Sequence, residues 1–233
     1  MMKELHIASA NLITFLRRVP LFADLNDHAL EMLARVSHTR RVPKGYVLFS
    51  KDDPGTAVYA VLSGSIAILL PTLDGRELVI NEMGAGESFG ELALLTGQPR
   101  SASAVAREAS EVITIPCDEF LAELEAEPKL MRHLLKTIAQ RLHSSSERES
   151  ALAFLDAPAR LARILLHLDQ ETGKRGVVII CQEELAQRVG VARQSVARVL
   201  RPWRRAGWII TGRGKIMLLN RPALRRQAEE SEV

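Results

Sequence analysis

The chain has few cysteines. Cys117 and Cys181 stand far apart in its 233 residues. Two thiols exclude a disulfide framework and are too few for a four-cysteine iron–sulfur or zinc cluster. That usage fits a reducing cytoplasm, which is the expected location. No stretch approaches ~18 uncharged apolar residues, so no membrane span is expected. Met1 to Pro20 lacks both a long apolar core and a small-residue cleavage site, which argues against a signal peptide. Acidic side chains are missing altogether between Leu185 and Ala228, where 11 basic residues lie. Against these absences, 47% of the residues are hydrophobic and 25% charged, which is ample apolar surface for a globular core. The length suits one large domain or two small ones.

The net charge of +3 hides an asymmetry. Residues 1–156 carry a net −5 and residues 157–233 a net +8. An acidic front and a basic back suggest two modules, the second facing a polyanion.

From Val42 to Ile115 glycine recurs about every ten residues between short β-like runs: Tyr46–Phe49, Val58–Leu62, Ser65–Leu70, Glu77–Ile80 and Val112–Ile115. Asp74-Gly75 between two such runs is a hairpin signal. Short strands at this spacing predict an antiparallel barrel or jelly roll. Residues 5–36 read as short helices, with Asp24 and Asn26 as cap candidates. From Pro128 the texture becomes helical. Met131, Leu135, Ile138, Leu142, Ser145, Glu149 and Leu152 step alternately by four and three, a heptad seam that predicts pairing with a second copy of the chain. Ser145 and Glu149 are the polar positions of that seam, and a hydroxyl tolerated there needs a hydrogen-bond partner.

From Ala157 onward a small α/β unit is expected. Ala159–Leu168 is apolar at helical spacing, and Gly173–Gly176 reads as a turn before the strand Val177–Ile180. Gln182 to Leu200 reads as a helix, a turn at Gly190 and a second helix, which fits a helix-turn-helix. On the second helix Val196, Val199, Leu200 and Trp203 form the buried face. Arg193, Gln194, Ala197, Arg198 and Arg201 are left outside. Arg bonds guanine edges or phosphates and Gln bonds adenine edges, so these residues suit a DNA-reading helix, with Ser195 included in the predicted contact set. Trp208–Thr211, a Gly212-Arg213-Gly214 turn and Lys215–Leu219 read as a hairpin whose Arg213 and Lys215 press on the DNA backbone as a wing does.

The segment from Gly86 to Ser103 carries the ligand signal. Gly90 opens a short helix whose free N–H groups favour an anion. Glu91 can accept from two vicinal hydroxyls, Arg100 offers a fork for phosphate oxygens, and Ser101 adds a hydroxyl beside it.

This segment resembles the phosphate-binding cassette of cyclic-nucleotide-binding domains. Arg141–Glu147 and Leu152–Asp156 resemble the dimer helix and hinge of the cyclic-AMP receptor protein and fumarate–nitrate regulator family, and the helix-turn-helix completes the set. The resemblance covers about Val19 to Asn220. It implies an α+β chain with three parts: a β-roll cyclic-nucleotide-binding domain over 1–127, a dimerisation helix and hinge over 128–156, and a winged helix-turn-helix over 157–233. The implied ligand residues are Gly90, Glu91, Leu92, Arg100, Ser101, Ala102, Arg141, Ser145 and Ser146. Glu91 would take the ribose 2′-hydroxyl, Arg100 and Ser101 the cyclic phosphate, and Ser145 and Ser146 the base from the same and the opposite subunit. Arg141 would support Glu91.

The implied function is a homodimeric, cyclic-nucleotide-responsive transcription regulator, not an enzyme. Its partners are double-stranded DNA and RNA polymerase; no membrane and no prosthetic group are expected. Cyclic AMP is the first effector implied; cyclic GMP shares its ribose-phosphate, and another effector or none is the alternative. A phosphodiesterase would need clustered metal ligands, whereas the six histidines are scattered at 6, 28, 38, 133, 143 and 167, and no metal is expected. Three departures stand out. The family's reading trio is Arg-Glu with Arg four positions on, and here it is Arg193, Gln194 and Arg198. The four-cysteine oxygen-sensing pattern is missing. Pro202 is expected to kink or stop the recognition helix near Arg201.

Overall fold

A computed structural model describes residues 4–5, 9–72, 77–171 and 176–229, with side chains placed except at 4, 5, 9, 10, 147–154 and 171. The Asp74-Gly75 turn, the residues from Gly173 to the last before Gly176, and the side chains of Glu149 and Leu152 therefore lie outside the described residues. The chain divides into two compact units, residues 1–71 with 79–142 and residues 143–233 with 72–78.

The first unit opens with β1 (Glu4–Leu5), α1 (Ser9–Leu16) and α2 (Asp27–Val36). The Asn26 side chain caps α2 by accepting from Ala29 N at 2.9 Å. Asp24 caps nothing; its carboxylate meets His133 Nε2 at 2.7 Å. The strands follow as β2 (His38–Val42), β3 (Val47–Phe49), β4 (Ala57–Ser63), β5 (Ile66–Pro71), β6 (Glu77–Met83) and β7 (Ser88–Phe89). After the short α3 (Glu91–Thr96) come β8 (Ser103–Ala106) and β9 (Ser110–Pro116). They form two antiparallel sheets, ordered β1-β2-β9-β4-β7 and β3-β8-β5-β6. The expected roll is therefore present, with more strands than apolar runs alone announced. Leu5, expected to be helical, pairs with Thr39 in a strand. Strand pairing with β2 outweighs the weak local preference of so short a segment.

Strand β4, an inner strand between β9 and β7, is covered on both faces. Val58 and Ala60 join Ile113 and Ile115 of β9 in a core with Leu30 and Leu33 of α2, Phe120 of α4 (Cys117–Ala126) and Leu130 and Leu134 of α5 (Pro128–Phe154). Val61 on the opposite face packs with Ile66, Ala104, Val112 and Phe89 between the sheets. Helix α5 runs 27 residues, about 40 Å at 1.5 Å per residue. Among the described residues no helix is long and apolar enough to cross a membrane.

The second unit contains α6 (Ala157–Glu171), β10 (Val177–Val178), α7 (Gln182–Val189), α8 (Arg193–Arg205), β11 (Ile209–Gly212), β12 (Lys215–Leu218) and α9 (Arg221–Glu229). The sheet order is β10-β12-β11. Asp156 caps α6, accepting from Ala159 N at 2.7 Å. Leu161, Leu165, Leu185, Val196, Leu200, Trp203, Ile216 and Leu224 share one core. Buried Asp169 fastens α6 to α9. It accepts from Arg221 Nε at 2.6 Å and Nη2 at 3.2 Å, and from Gly176 N at 2.5 Å. The strand expected over Val177–Ile180 is two residues long, because only Val177 and Val178 find partners on β12.

Candidate functional site

Strand β7 lies inside the segment from Gly86 to Ser103 and ends at the Gly90 turn. Gly90 has φ of 88°, and a Cβ built there would lie 2.9 Å from Arg100 Nη1 and 3.3 Å from Tyr59 Cδ2. Both the left-handed backbone and the close approach of the guanidinium require glycine. This turn starts α3 at Glu91 and brings its carboxylate inward.

Glu91 is only 2% exposed. Its Oε1 accepts from Arg141 Nη1 at 2.6 Å, while Oε2 is buried with no hydrogen-bond partner. The Arg141 Nη2 group donates to the Ser88 carbonyl and lies 3.9 Å from Met83 Sδ. A buried carboxylate oxygen without a donor costs about 1–3 kcal/mol or more, so this acceptor is primed for a hydroxyl.

Arg100 is also 2% exposed. It donates from Nη1 to the Gly90 carbonyl at 2.5 Å and from Nη2 to the Ala57 carbonyl at 2.7 Å. Its Nε is buried without a partner. Burial pulls the guanidinium below its ordinary pKa, opposed by Tyr59, Cys117, Glu91 and Asp53. Arginine nevertheless remains a cation at any physiological pH. The residue's own backbone is strapped to the loop after β3, through Arg100 N to Asp53 O at 2.8 Å and Asp52 N to Arg100 O at 2.9 Å.

Gly90, Glu91, Arg100 and Arg141 thus come together in one unit although Arg141 is 50 positions from Glu91 in the chain. Ser101 is exposed beside Arg100, Leu92 is exposed on α3, and the Ala102 side chain is buried. Half-buried Ser145 and exposed Ser146 lie on α5 beyond Arg141, Ser145 one helical turn further on. On the seam, Met131, Leu135 and Leu142 are exposed, the last two at 60% and 67%, while Ile138 packs against the roll. The buried side of α5 is carried by Leu130 and Leu134 instead.

In the second unit Gly190, at φ 76°, makes the turn between α7 and α8. Arg193, Gln194, Ala197, Arg198 and Arg201 are exposed on α8, Ser195 is half-buried, and Val196, Leu200 and Trp203 face the core. Arg213 and Lys215 are exposed around the β11–β12 hairpin. Of the expected kink or stop near Arg201, the stop does not occur: α8 continues through Pro202 to Arg205. The proline removes one backbone bond to Arg198, but it is exposed, and buried Trp203, stacked on Trp208 at 6.2 Å, anchors the last turn. The Pro202 carbonyl still accepts from Ala206 N at 2.9 Å.

Sequence reasoning missed the surroundings of Arg100. Phe49 of β3 lies 4.3 Å from its Cζ and Tyr59 of β4 5.8 Å. Aromatic residues in apolar strands look like ordinary core, and only their juxtaposition with Arg100 distinguishes them. Among the described residues no three His, Cys, Asp or Glu side chains gather as metal ligands.

Residues 39–127 match the cyclic nucleotide-binding domain family, and residues 159–227 match the Crp-like helix-turn-helix domain family. The chain is 29% identical over 219 residues to the CRP-like cAMP-activated global transcriptional regulator of Mycobacterium tuberculosis, covering 91% of this chain and 98% of that one. It is 33% identical over 181 residues to the cAMP-activated global transcriptional regulator CRP of Salmonella typhimurium, covering 75% and 86%. Among solved structures, the c-di-GMP responsive global regulator CLP of Xanthomonas campestris is similar with a TM-score of 0.76 at 27% identity, over 83% of this chain and 99% of that one. With a cyclic nucleotide-binding roll in front, a Crp-like helix-turn-helix behind and regulators rather than enzymes as relatives, this chain belongs to the CRP/FNR family of transcriptional regulators.

Proposed function

We propose that the chain is a homodimeric transcription regulator switched by cyclic AMP. The division of labour we assign is ligand binding by residues 1–127, dimerisation by 128–156 and DNA binding by 157–233. The observation that carries the ligand reading is the buried pair of Glu91 and Arg100, one with a bare carboxylate oxygen and the other with a bare Nε. A ribose hydroxyl suits the first and a phosphate oxygen the second. Ser101 adds a hydroxyl for the phosphate, and the base is assigned to Ser145 and to Ser146 of the other subunit.

Charge supports a single phosphodiester. Arg141 is neutralised by Glu91, which leaves Arg100 as the cassette's uncompensated cation among the described residues. The likeness to a c-di-GMP responsive regulator favours a second reading, an effector with two phosphodiesters, and the same arginine arrangement argues against it. The exposed Leu135 and Leu142 support a seam between two copies. Two recognition helices would then meet successive major grooves ~34 Å apart. Ligand promotes DNA binding only by binding the DNA-competent state more tightly than the other. Acting on transcription in the cytoplasm, such a dimer would also meet RNA polymerase.

The test is a calorimetric titration of the full chain with cyclic AMP, cyclic GMP and cyclic di-GMP, followed by DNA binding with and without each. Tightest binding of cyclic AMP, coupled to stronger DNA binding, is expected. Preference for another nucleotide replaces the effector, and no binding of any overturns the ligand reading.

A further inference from the structure

Three other partly buried arginines are each neutralised by a carboxylate: Arg141 by Glu91, Arg221 by Asp169, Arg188 by Glu184. Arg100 is treated differently. Among the described residues it is bonded by two carbonyls and no carboxylate, although it is one of the most deeply buried charges present. What covers it is aromatic. The Phe49 ring lies 4.3 Å from Cζ, Tyr59 lies 5.8 Å away, and the rings of Phe49, Tyr59 and Phe89 pack on one another with centroids 5.3–6.1 Å apart.

We propose that Phe49 is a positioning residue for anion binding, an aromatic platform that holds the Arg100 guanidinium under the cassette without neutralising it. The inference rests on the reading of Arg100 as the phosphate's partner. The physical reason lies in what each alternative would do. A carboxylate at this place would stabilise the buried cation, but it would also cancel the charge that an incoming phosphate needs and compete for its N–H donors. An aliphatic side chain would leave one face of the cation against hydrocarbon, a costly position. The negative face of an aromatic ring stabilises the cation, more so when water is excluded, and occupies none of its five donors. At 4.3 Å the ring also blocks movement of the guanidinium on that side. The strand geometry serves this placement. The register of β3 against β8 shifts between Val47 and Phe49, an irregularity of the kind that re-aims a side chain. Phe49 pairs there with Ala104, three residues after Ser101.

The test uses the full chain with the substitutions Phe49→Leu, Phe49→Met and Phe49→Tyr. Cyclic AMP and cyclic GMP affinities come from calorimetry, and the Arg100 Nε–H signal from nuclear magnetic resonance. Phe49→Leu and Phe49→Met should weaken binding about tenfold, whereas Phe49→Tyr, which keeps the ring, should bind like the unaltered protein. In the unaltered protein the Arg100 Nε–H proton should be shielded by the ring current, and that shielding should be lost with Phe49→Leu. Unchanged affinity in Phe49→Leu overturns the inference, as does equal loss in Phe49→Tyr, which would mean packing alone. An unshielded Arg100 proton in the unaltered protein also overturns it, whether or not the variants fold. If Arg100→Ala abolishes binding and Phe49→Leu does not, only the platform falls. If the unaltered protein binds neither nucleotide, the ligand reading falls and takes the platform with it.

Discussion

The two units handle positive charge in opposite ways. In the roll, Arg100 is 2% exposed and held by carbonyls and an aromatic ring, and Arg141 is spent on Glu91. On α8, Arg193, Arg198 and Arg201 stand exposed, with no acidic residue between Leu185 and Ala228 to pair with them. In the function proposed above, a small anion would be taken out of water by Arg100, a cation already fixed in a desolvated place. A polyanion is met across solvent, where long mobile side chains and counterion release do the work. The contrast predicts that losses in the roll should be few and severe, and losses on α8 graded and sensitive to salt.

The strongest way to break the comparison is at Arg100. Arg100→Ala leaves a ligand phosphate without its buried cation, a cost of about 3 kcal/mol or more, and calorimetry should show affinity falling by at least ~100-fold. A loss of only a few-fold would mean that this charge behaves like a surface one. The seam comes next. Leu142→Glu places a charge on the exposed apolar face of α5 and should give monomers by light scattering, with loss of specific DNA binding because a single module makes too few contacts. A variant that remains dimeric would move the interface elsewhere.

Asp169 tests whether the second unit also depends on a buried charge. Its carboxyl is held below the usual carboxylate range chiefly by Arg221, assisted by the Gly176 N–H and opposed by burial. A lowered folded pKa means the stabilisation is full above the unfolded value and disappears as the pH falls through the folded one. Thermal melting should therefore show Asp169→Asn destabilised by about 1–3 kcal/mol at neutral pH, with the difference shrinking in strong acid. An equal difference at both would assign the effect to packing.

The finest effect concerns reading. Gln194→Glu should shift one base of each half-site from adenine towards cytosine, by ~1–3 kcal/mol, in a selection from random DNA. Arg205→Ala should instead weaken all sites alike and flatten the salt dependence. An unchanged selection for Gln194→Glu would leave the readout to Arg193 and Arg198.

Legibility followed locality. The helix-turn-helix was readable because its signals lie within a few residues of one another: the Gly190 turn, and Val196, Leu200 and Trp203 at helical spacing. Strands β4, β5 and β9 were readable from their apolar runs. Strands β2, with His-Thr-Arg-Arg-Val, and β8, with Ser-Ala-Val-Ala, were not, because their extended form comes from pairing with β9 and with β3 and β5. Pro202 does not stop the helix at Arg201, for a related reason: the buried Trp203 beside it is fastened by the core.

The sequence by itself determined that the cyclic nucleotide-binding roll precedes the helix-turn-helix, that α8 carries a basic exposed face and that α5 carries an apolar periodicity, since each is a pattern of neighbouring side chains. Only the tertiary structure decided that Glu91 keeps one oxygen bare while Arg141 holds the other, and that Arg100 lies against Phe49 rather than a carboxylate. Those facts depend on β3, α3 and α5 meeting across long stretches of chain. The free energy of burying a charge is set by whatever surrounds it in space, which no local run of residues specifies.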